Sequence, residues 1–383
     1  MTGEPAPERA RASLGEVALL FLRLGVTAFG GPAAHIAIME DEIVRRRRWV
    51  THERFLDLLG AASLIPGPSS TELAIYLGYE QAGWRGLLVG GTCFILPAAL
   101  MVGGLAWAYV HFGTLPALAG VLYGIKPVVI GVVLQALWGL APKAIKKSAL
   151  LGAVGAAACI AAAMGVDALA VLVCAGLVTI AARRVGSRGE GLAPLALGPA
   201  ITVTGAAAPV GMLTLFLTFL KIGAVVFGSG YVLLAFLRVD LVDRLHWLTE
   251  AQLLDAVAVG QVTPGPVFTT ATFIGYLLGR APGAAIATIA VFLPGFLLVA
   301  ATRPLLVRLR RSKLTAAFLD GVNVASLALM GVVTVQLART AIVDLPTLLI
   351  ALVGTALLIR WKVSSTWLVA GAALAGMARA ALR

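Results

Sequence analysis

A Pro-Gly-Pro triplet interrupts an apolar stretch at Pro66-Gly67-Pro68, and the same triplet returns at Pro264-Gly265-Pro266, 198 positions later. Proline removes a backbone donor and clashes with the preceding turn, so two prolines around a glycine do not fit the interior of an ordinary spanning helix. The repetition reaches well beyond the triplet. Phe21-Leu22-Arg23-Leu24-Gly25 matches Phe219-Leu220-Lys221-Ile222-Gly223, and Trp49, Thr51 and Asp57 match Trp247, Thr249 and Asp255 at the same offset. One residue is then lost, and Gly78-Tyr79, Leu96-Pro97 and Gly124 match Gly275-Tyr276, Leu293-Pro294 and Gly321 at an offset of 197. Matches that run through charged, apolar and turn residues alike indicate a duplicated unit. The chain therefore divides into a tail at 1–13, a first repeat at 14–184, a linker at 185–210 rich in Gly and Pro, and a second repeat at 211–383.

Each copy is too apolar to face water. Hydrophobic residues make up 60% of the chain and charged residues 13%, about half the charged share of an ordinary soluble domain. Apolar runs at 86–109, 115–140, 286–301 and 364–382 approach the roughly 20 residues needed to cross a bilayer as helix. The net charge of +12 does not indicate nucleic acid, because the basic residues fall in short loops between apolar runs, as in membrane proteins. The partner of these surfaces is the lipid bilayer. Cys93, Cys159 and Cys174 are scattered through apolar runs and suit packing better than a disulfide or metal site. No metal or other cofactor is expected.

The positions of the basic loops bear on topology. If the first Pro-Gly-Pro segment dips into the membrane and returns, the loops at 45–48, 85, 143–147 and 183–184 share one side. The loop at 303–313, Arg360 and Lys362 join them. A full crossing would split this set. The expected architecture is thus an all-α polytopic membrane protein of two repeats, each about five transmembrane helices plus a re-entrant Pro-Gly-Pro hairpin. Five is odd, so the repeats are of inverted topology, as in many secondary transporters with a binding site at the repeat interface.

Irregular backbone at membrane depth is tolerated where protein buries it or a watery cavity meets it. Pro68 suits the start of a helix, which puts Ser69, Ser70 and Thr71 in a first turn. Pro266 does the same for Thr269. First turns carry unpaired N–H groups and partial positive charge, so the two triplets can cradle an anion. Gly30, Gly31 and Pro32, with Gly228, Ser229 and Gly230, form a second pair of breaks. Arg23 and Lys221 are equivalent cations in apolar stretches and could neutralise an oxyanion. Arg23 could instead snorkel to the interface or pair with Glu16 or Glu40. Glu72 could carry a coupling proton or pair with a cation; His35 could pack as a polar core residue or relay a proton. Asp57 and Asp255 read as helix N-terminal acids, and Lys126 and Asn323 as equivalent cavity positions. Glu40, Asp41 and Glu42 read as a solvated, partly paired face. No Walker loop, metal-spaced His/Cys cluster or Ser/His/Asp arrangement stands out, so this chain is read as no enzyme and, by itself, not an ATP-driven transporter.

The stretch Phe29-Gly30-Gly31-Pro32-Ala33-Ala34-His35-Ile36, the Trp49 region and the two Pro-Gly-Pro segments resemble the chromate ion transporter family, in its long-chain, two-domain form. The resemblance runs from about Leu14 across nearly the whole chain. It implies a multi-pass carrier of the bacterial inner membrane that exports chromate and confers resistance, coupled to protons or membrane potential. It places family motif positions at Arg23, Gly30, Gly31, Pro32, His35, Pro66, Gly67 and Pro68. Chromate is a tetrahedral dianion close to sulfate, so import of sulfate or another oxyanion is the alternative, with a membrane-embedded enzyme behind it. A homodimer is compatible with the sequence, which carries no signal for oligomeric state.

Overall fold

The computed structural model describes residues 12–29, 31–113, 116–146, 148–188, 211–227, 230–302 and 312–381. Gly30, Gly228, Ser229, most of the tail and linker, and the basic loop at 303–311 lie outside these residues. Every regular element among the described residues is helical.

The first half opens with α1 (Leu14–Thr27) and α2 (Gly31–Glu40), which runs into a π turn at Asp41–Arg46. Next come α3 (His52–Ala62), α4 (Ser69–Phe112), α5 (Pro116–Ile145), α6 (Ala149–Ala163) and α7 (Ala168–Arg188). The second half holds α8 (Met212–Val225), a 3-10 turn at Gly230–Val232, α9 (Leu233–Leu237) and a π turn at Arg238–Arg244. It continues with α10 (Glu250–Val262), α11 (Thr270–Thr302), α12 (Lys313–Ala341), α13 (Leu345–Arg360) and α14 (Ser365–Ala381).

Local sequence sets the starts and stops. Ser13 and Glu16 form a capping box at the head of α1, and Thr51 caps α3 by accepting from the Arg54 N–H. Thr249, the counterpart of Thr51, caps α10 with a full box to Gln252. These caps satisfy N–H groups that a helix leaves unpaired. Two residues past each π turn the backbone takes a positive φ, at Arg48 (55°) and at the equivalent His246 (53°).

Among the described residues, four helices are long and apolar enough to cross a membrane: Ser69–Phe112, Ala119–Ile145, Val267–Thr302 and Lys313–Ala341. The chain is a multi-pass helical membrane protein. Two of these helices fold back on themselves. Backbone angles leave the helical region at Ala82 and Gly83 in α4, and at the equivalent Gly279 and Arg280 in α11. The arms of each bend pack through glycine: a Cβ on Gly78 would overlap the Gly86 carbonyl, and one on Gly275 the Gly283 carbonyl. Arg54 at the head of α3 pairs with Glu80 at 2.6 Å, just before the first bend. Gln81 donates to the Trp49 carbonyl at 3.1 Å. The start of α3 and the end of the first α4 arm therefore lie at one level, with the Pro-Gly-Pro loop between them in sequence.

The halves interlock by exchanging contacts. Gly124 of α5 lies against the Ala372 carbonyl of α14, and its counterpart Gly321 of α12 lies against the Ala175 carbonyl of α7. Ala175 and Ala372 are themselves equivalent at the 197 offset. The equivalent helices α5 and α12 run in opposite directions. Near the start of α5, Tyr123 donates to Asp344, just beyond the end of α12, at 2.7 Å. Past the end of α5, Lys146 pairs with Asp320 near the start of α12.

Candidate functional site

The two Pro-Gly-Pro loops meet the ends of the first helices of the opposite halves. The Gly67 N–H donates to the Val226 carbonyl at 2.7 Å, and the Gly265 N–H donates to the Ala28 carbonyl at 3.0 Å. Ala28 and Val226 are equivalent, as are Gly67 and Gly265, so one bond is the image of the other. Glycine is required at both positions. φ is +127° at Gly67 and +89° at Gly265, which a side chain rarely adopts. A Cβ on Gly67 would overlap the Glu72 carboxyl, and one on Gly265 would sit 2.6 Å from the Ala98 Cβ. The second pair of breaks meets here as well: a Cβ on Gly230 would lie 3.9 Å from the Pro32 Cγ, its own equivalent position.

Polar chemistry gathers on the first-half side. His35 is buried, 1% exposed. Its Nε2 lies 3.0 Å from the Ala28 carbonyl and its Nδ1 3.3 Å from the Ser70 Oγ. A carbonyl only accepts, so Nε2 carries the proton and Ser70 donates to Nδ1. The Ala28 oxygen then takes two donors, His35 and Gly265, one from each half. Phe94 packs edge-on to the imidazole, 5.6 Å between centroids. In the second half these places fall to Leu233 and Phe268, both fully buried.

Pro68 is the N-cap of α4, so Ser69, Ser70 and Thr71 form its first turn as expected from the sequence. Ser70, Thr71 and Glu72 are each 1% exposed. Thr71 Oγ1 and Glu72 Oε2 have no hydrogen-bond partner. The Glu72 carboxyl lies between Gly67 and Gly295, and no ion pair involves it among the described residues. In the second half Pro266 caps only a 3-10 turn at Val267–Thr269. Thr269 and Thr270 turn their hydroxyls back onto the Pro266 and Val267 carbonyls at 2.8 Å each.

Arg23 and Lys221 sit elsewhere. The face of α1 that meets the second Pro-Gly-Pro loop carries Gly25. Arg23, two residues earlier, is about 200° around the helix. It shares the outer face with the exposed Leu19 and Val26, and it pairs with Glu42 at 3.8 Å. Lys221 repeats this, beside the exposed Leu217 and paired with Asp240 at 2.7 Å. Glu42 and Asp240 are equivalent and lie in the π turns, which add a residue to the turn and re-aim the acid. Glu42, expected on a solvated face, is 7% exposed and also pairs with Arg46 at 3.0 Å.

Sequence reasoning left two constellations unassembled. Asp255 accepts from the Tyr109 hydroxyl at 3.0 Å and pairs with Lys126 at 2.9 Å, joining the halves across α4, α5 and α10. The signal was present, a lysine and an aspartate in apolar runs of opposite copies, but their pairing is a property of the interlock. Near the opposite end of α5, a cavity of about 220 Å³ is lined by Ser63, Phe227, Lys143, Lys146, Asn323 and Ser326, among others. A second cavity of about 530 Å³ is walled by apolar side chains such as Trp84, Leu88, Leu96, Ile289 and Leu297, with only Thr92 and Thr288 polar, which suits hydrocarbon and not an anion.

The chromate transporter family model matches residues 15–180 and, separately, 213–377. The chain belongs to the chromate transporter family. It is 36% identical to a chromate transport protein of Cupriavidus metallidurans over 375 residues, 95% of this chain and 93% of that protein. It is 36% identical over 362 residues to a probable chromate transport protein of Synechococcus elongatus, 91% of this chain and 90% of the relative. A chromate transport protein of Pseudomonas aeruginosa is 33% identical over 365 residues, covering 89% and 86%. No solved structure matches the chain. The two family matches fall on the two halves that meet at the Pro-Gly-Pro loops.

Proposed function

We propose that this chain is a secondary transporter of tetrahedral oxyanions, with chromate as its cargo, moved out of the cell by alternating access between two inverted halves of the inner membrane protein. The observation that carries the reading is the reciprocal docking of the two Pro-Gly-Pro loops on the ends of α1 and α8. It brings broken backbone from both repeats to one place, the setting in which transporters bind substrate.

Several features support the finer architecture. Exchanged contacts of the kind Gly124–Ala372 and Gly321–Ala175 belong to a twofold relation. Equivalent helices that run antiparallel, as α5 and α12 do, fit a twofold axis in the membrane plane. The Arg54–Glu80 pair fits a hairpin that enters and leaves on one side, with Pro66-Gly67-Pro68 at its tip. The separate family matches support reading 14–184 and 211–383 as the two copies.

In this mechanism the first turn of α4 supplies N–H groups and the Thr71 hydroxyl to the oxyanion, while His35 fixes Ser70 and ties that turn to Ala28. Glu72 carries a proton in the opposite sense, since an unpaired buried carboxyl is costly when charged and exchanges protons as access alternates. Arg23 and Lys221 act from the outer face by holding the π turns through Glu42 and Asp240. Sulfate shares the shape and charge of chromate and is the competing cargo.

Uptake of chromate into inverted membrane vesicles tests this reading. The parent chain should accumulate chromate above empty-vector vesicles, and Thr71→Val should reduce the rate several-fold. Equal uptake by parent, Thr71→Val and empty-vector vesicles would overturn it.

A further inference from the structure

We infer that the cavity between α5 and α12 is a loading site, where the oxyanion is held on the basic side before it reaches the Pro-Gly-Pro loops. This rests on the transport reading above and extends it by a second subsite. The cavity holds about 220 Å³, room for several waters or for an oxyanion with part of its shell. Its lining joins Lys143 from the last turn of α5 and Lys146 just past it with Asn323 and Ser326 from α12. Ser63 and Phe227 also contribute, and they flank the bond between Gly67 and Val226 in sequence. The cavity therefore adjoins the first Pro-Gly-Pro loop.

Two observations point to an anion. Ser326 is 1% exposed and its Oγ has no hydrogen-bond partner, an arrangement that costs stability unless something bound there completes it. Lys143 lines the same space, and no ion pair involves it among the described residues. Asp320 is the acid of the cavity, and Lys146 and Arg183 both pair with it, Arg183 at 2.8 Å. Two cations on one carboxylate, with Lys143 added, leave the cavity net positive. A hydroxyl, an amide and a mobile ammonium are the donors a tetrahedral dianion accepts.

Among the described residues, the positions equivalent to Ser326, Asn323 and Lys143 in the other copy carry different groups. Val129, Lys126 and Thr340 stand where Ser326, Asn323 and Lys143 stand. There Lys126 is consumed by Asp255, and Thr340 donates to Glu250 at 2.7 Å. One end of the molecule thus has open positive space and the other has closed pairs, which gives the transport cycle a loading side.

The test is the concentration dependence of chromate flux in proteoliposomes holding the full chain. Lys143→Ala and Ser326→Ala should each raise KM, Lys143→Ala by about tenfold, with kcat within about twofold of the parent. Lys143→Arg should restore KM. The Lys143→Ala effect should persist in liposomes of neutral lipid alone and in liposomes with anionic lipid added. Unchanged KM in both alanine variants overturns the loading site. So does a fall in kcat alone, or an effect seen only with anionic lipid, which would assign the cavity to a phosphate headgroup. If the parent itself moves no chromate, the transport reading fails before the loading site is reached.

Discussion

At Glu72 a fully buried carboxyl keeps one oxygen without a partner, and its neighbours are glycine backbone at Gly67 and Gly295. Glutamine has nearly the same shape and cannot take up a proton. Glu72→Gln should fold, should still exchange chromate across the membrane at equilibrium, and should lose acceleration by an imposed pH gradient. Flux with and without the gradient measures this, and full retention of the gradient response would remove Glu72 from coupling. The Lys126–Asp255 pair makes a different statement. Both side chains are largely buried, at 19% and 6% exposed. Lys126→Met strands the aspartate and should cost about 3–5 kcal/mol, read as a lower melting temperature in detergent. Lys126→Met with Asp255→Leu should recover most of that loss. Residue types were legible in the sequence, partners less so. Arg23 and Lys221 stood out as cations in apolar runs, but the side of the helix they occupy depends on which face packs, and Gly25 and Gly223 take the packed face. Their acids, Glu42 and Asp240, were hidden by π turns that shift the register.

The helical elements follow their sequence signals closely where caps and breakers are local. Ser13, Thr51 and Thr249 begin helices, and Pro66-Gly67-Pro68 ends one and starts another. The first bend was partly legible, since the basic loop at Arg85 separates the Pro-Gly-Pro segment from the apolar run at 86–109, but the close return of the arms through Gly78–Gly86 and Gly275–Gly283 is a tertiary property that no local signal carries. Arg280 holds φ 55° without glycine. Arg280→Gly should relieve that strain and raise the melting temperature by an amount corresponding to about 1 kcal/mol. A decrease would mean that the arginine side chain contributes more than the backbone angle costs.

Across the whole molecule, the duplication in the sequence reappears as exchanged contacts. The proposed inverted arrangement has a direct readout in membrane sidedness. Single cysteines near Arg46 and near Asp243, which stand at corresponding π turns, should label from opposite sides of intact cells in a background free of Cys93, Cys159 and Cys174. Same-side labelling would contradict inversion. The polarity of the centre was harder to foresee. His35, Ser70 and Glu72 face Leu233, Phe268 and Thr270 as counterparts, so the symmetric backbone carries an asymmetric set of side chains, and the first half holds most of the polar chemistry. The central claim is that the docked Pro-Gly-Pro loops form the path of a tetrahedral oxyanion. Its most direct test is anion flux into proteoliposomes with an imposed pH gradient, comparing chromate, sulfate and molybdate in the parent and in Gly67→Ala and Gly265→Ala. The account predicts chromate flux that sulfate competes for, and its loss in both alanine variants while the protein still inserts and elutes as the parent does. Parent proteoliposomes that pass no chromate, or alanine variants that match the parent, would contradict it.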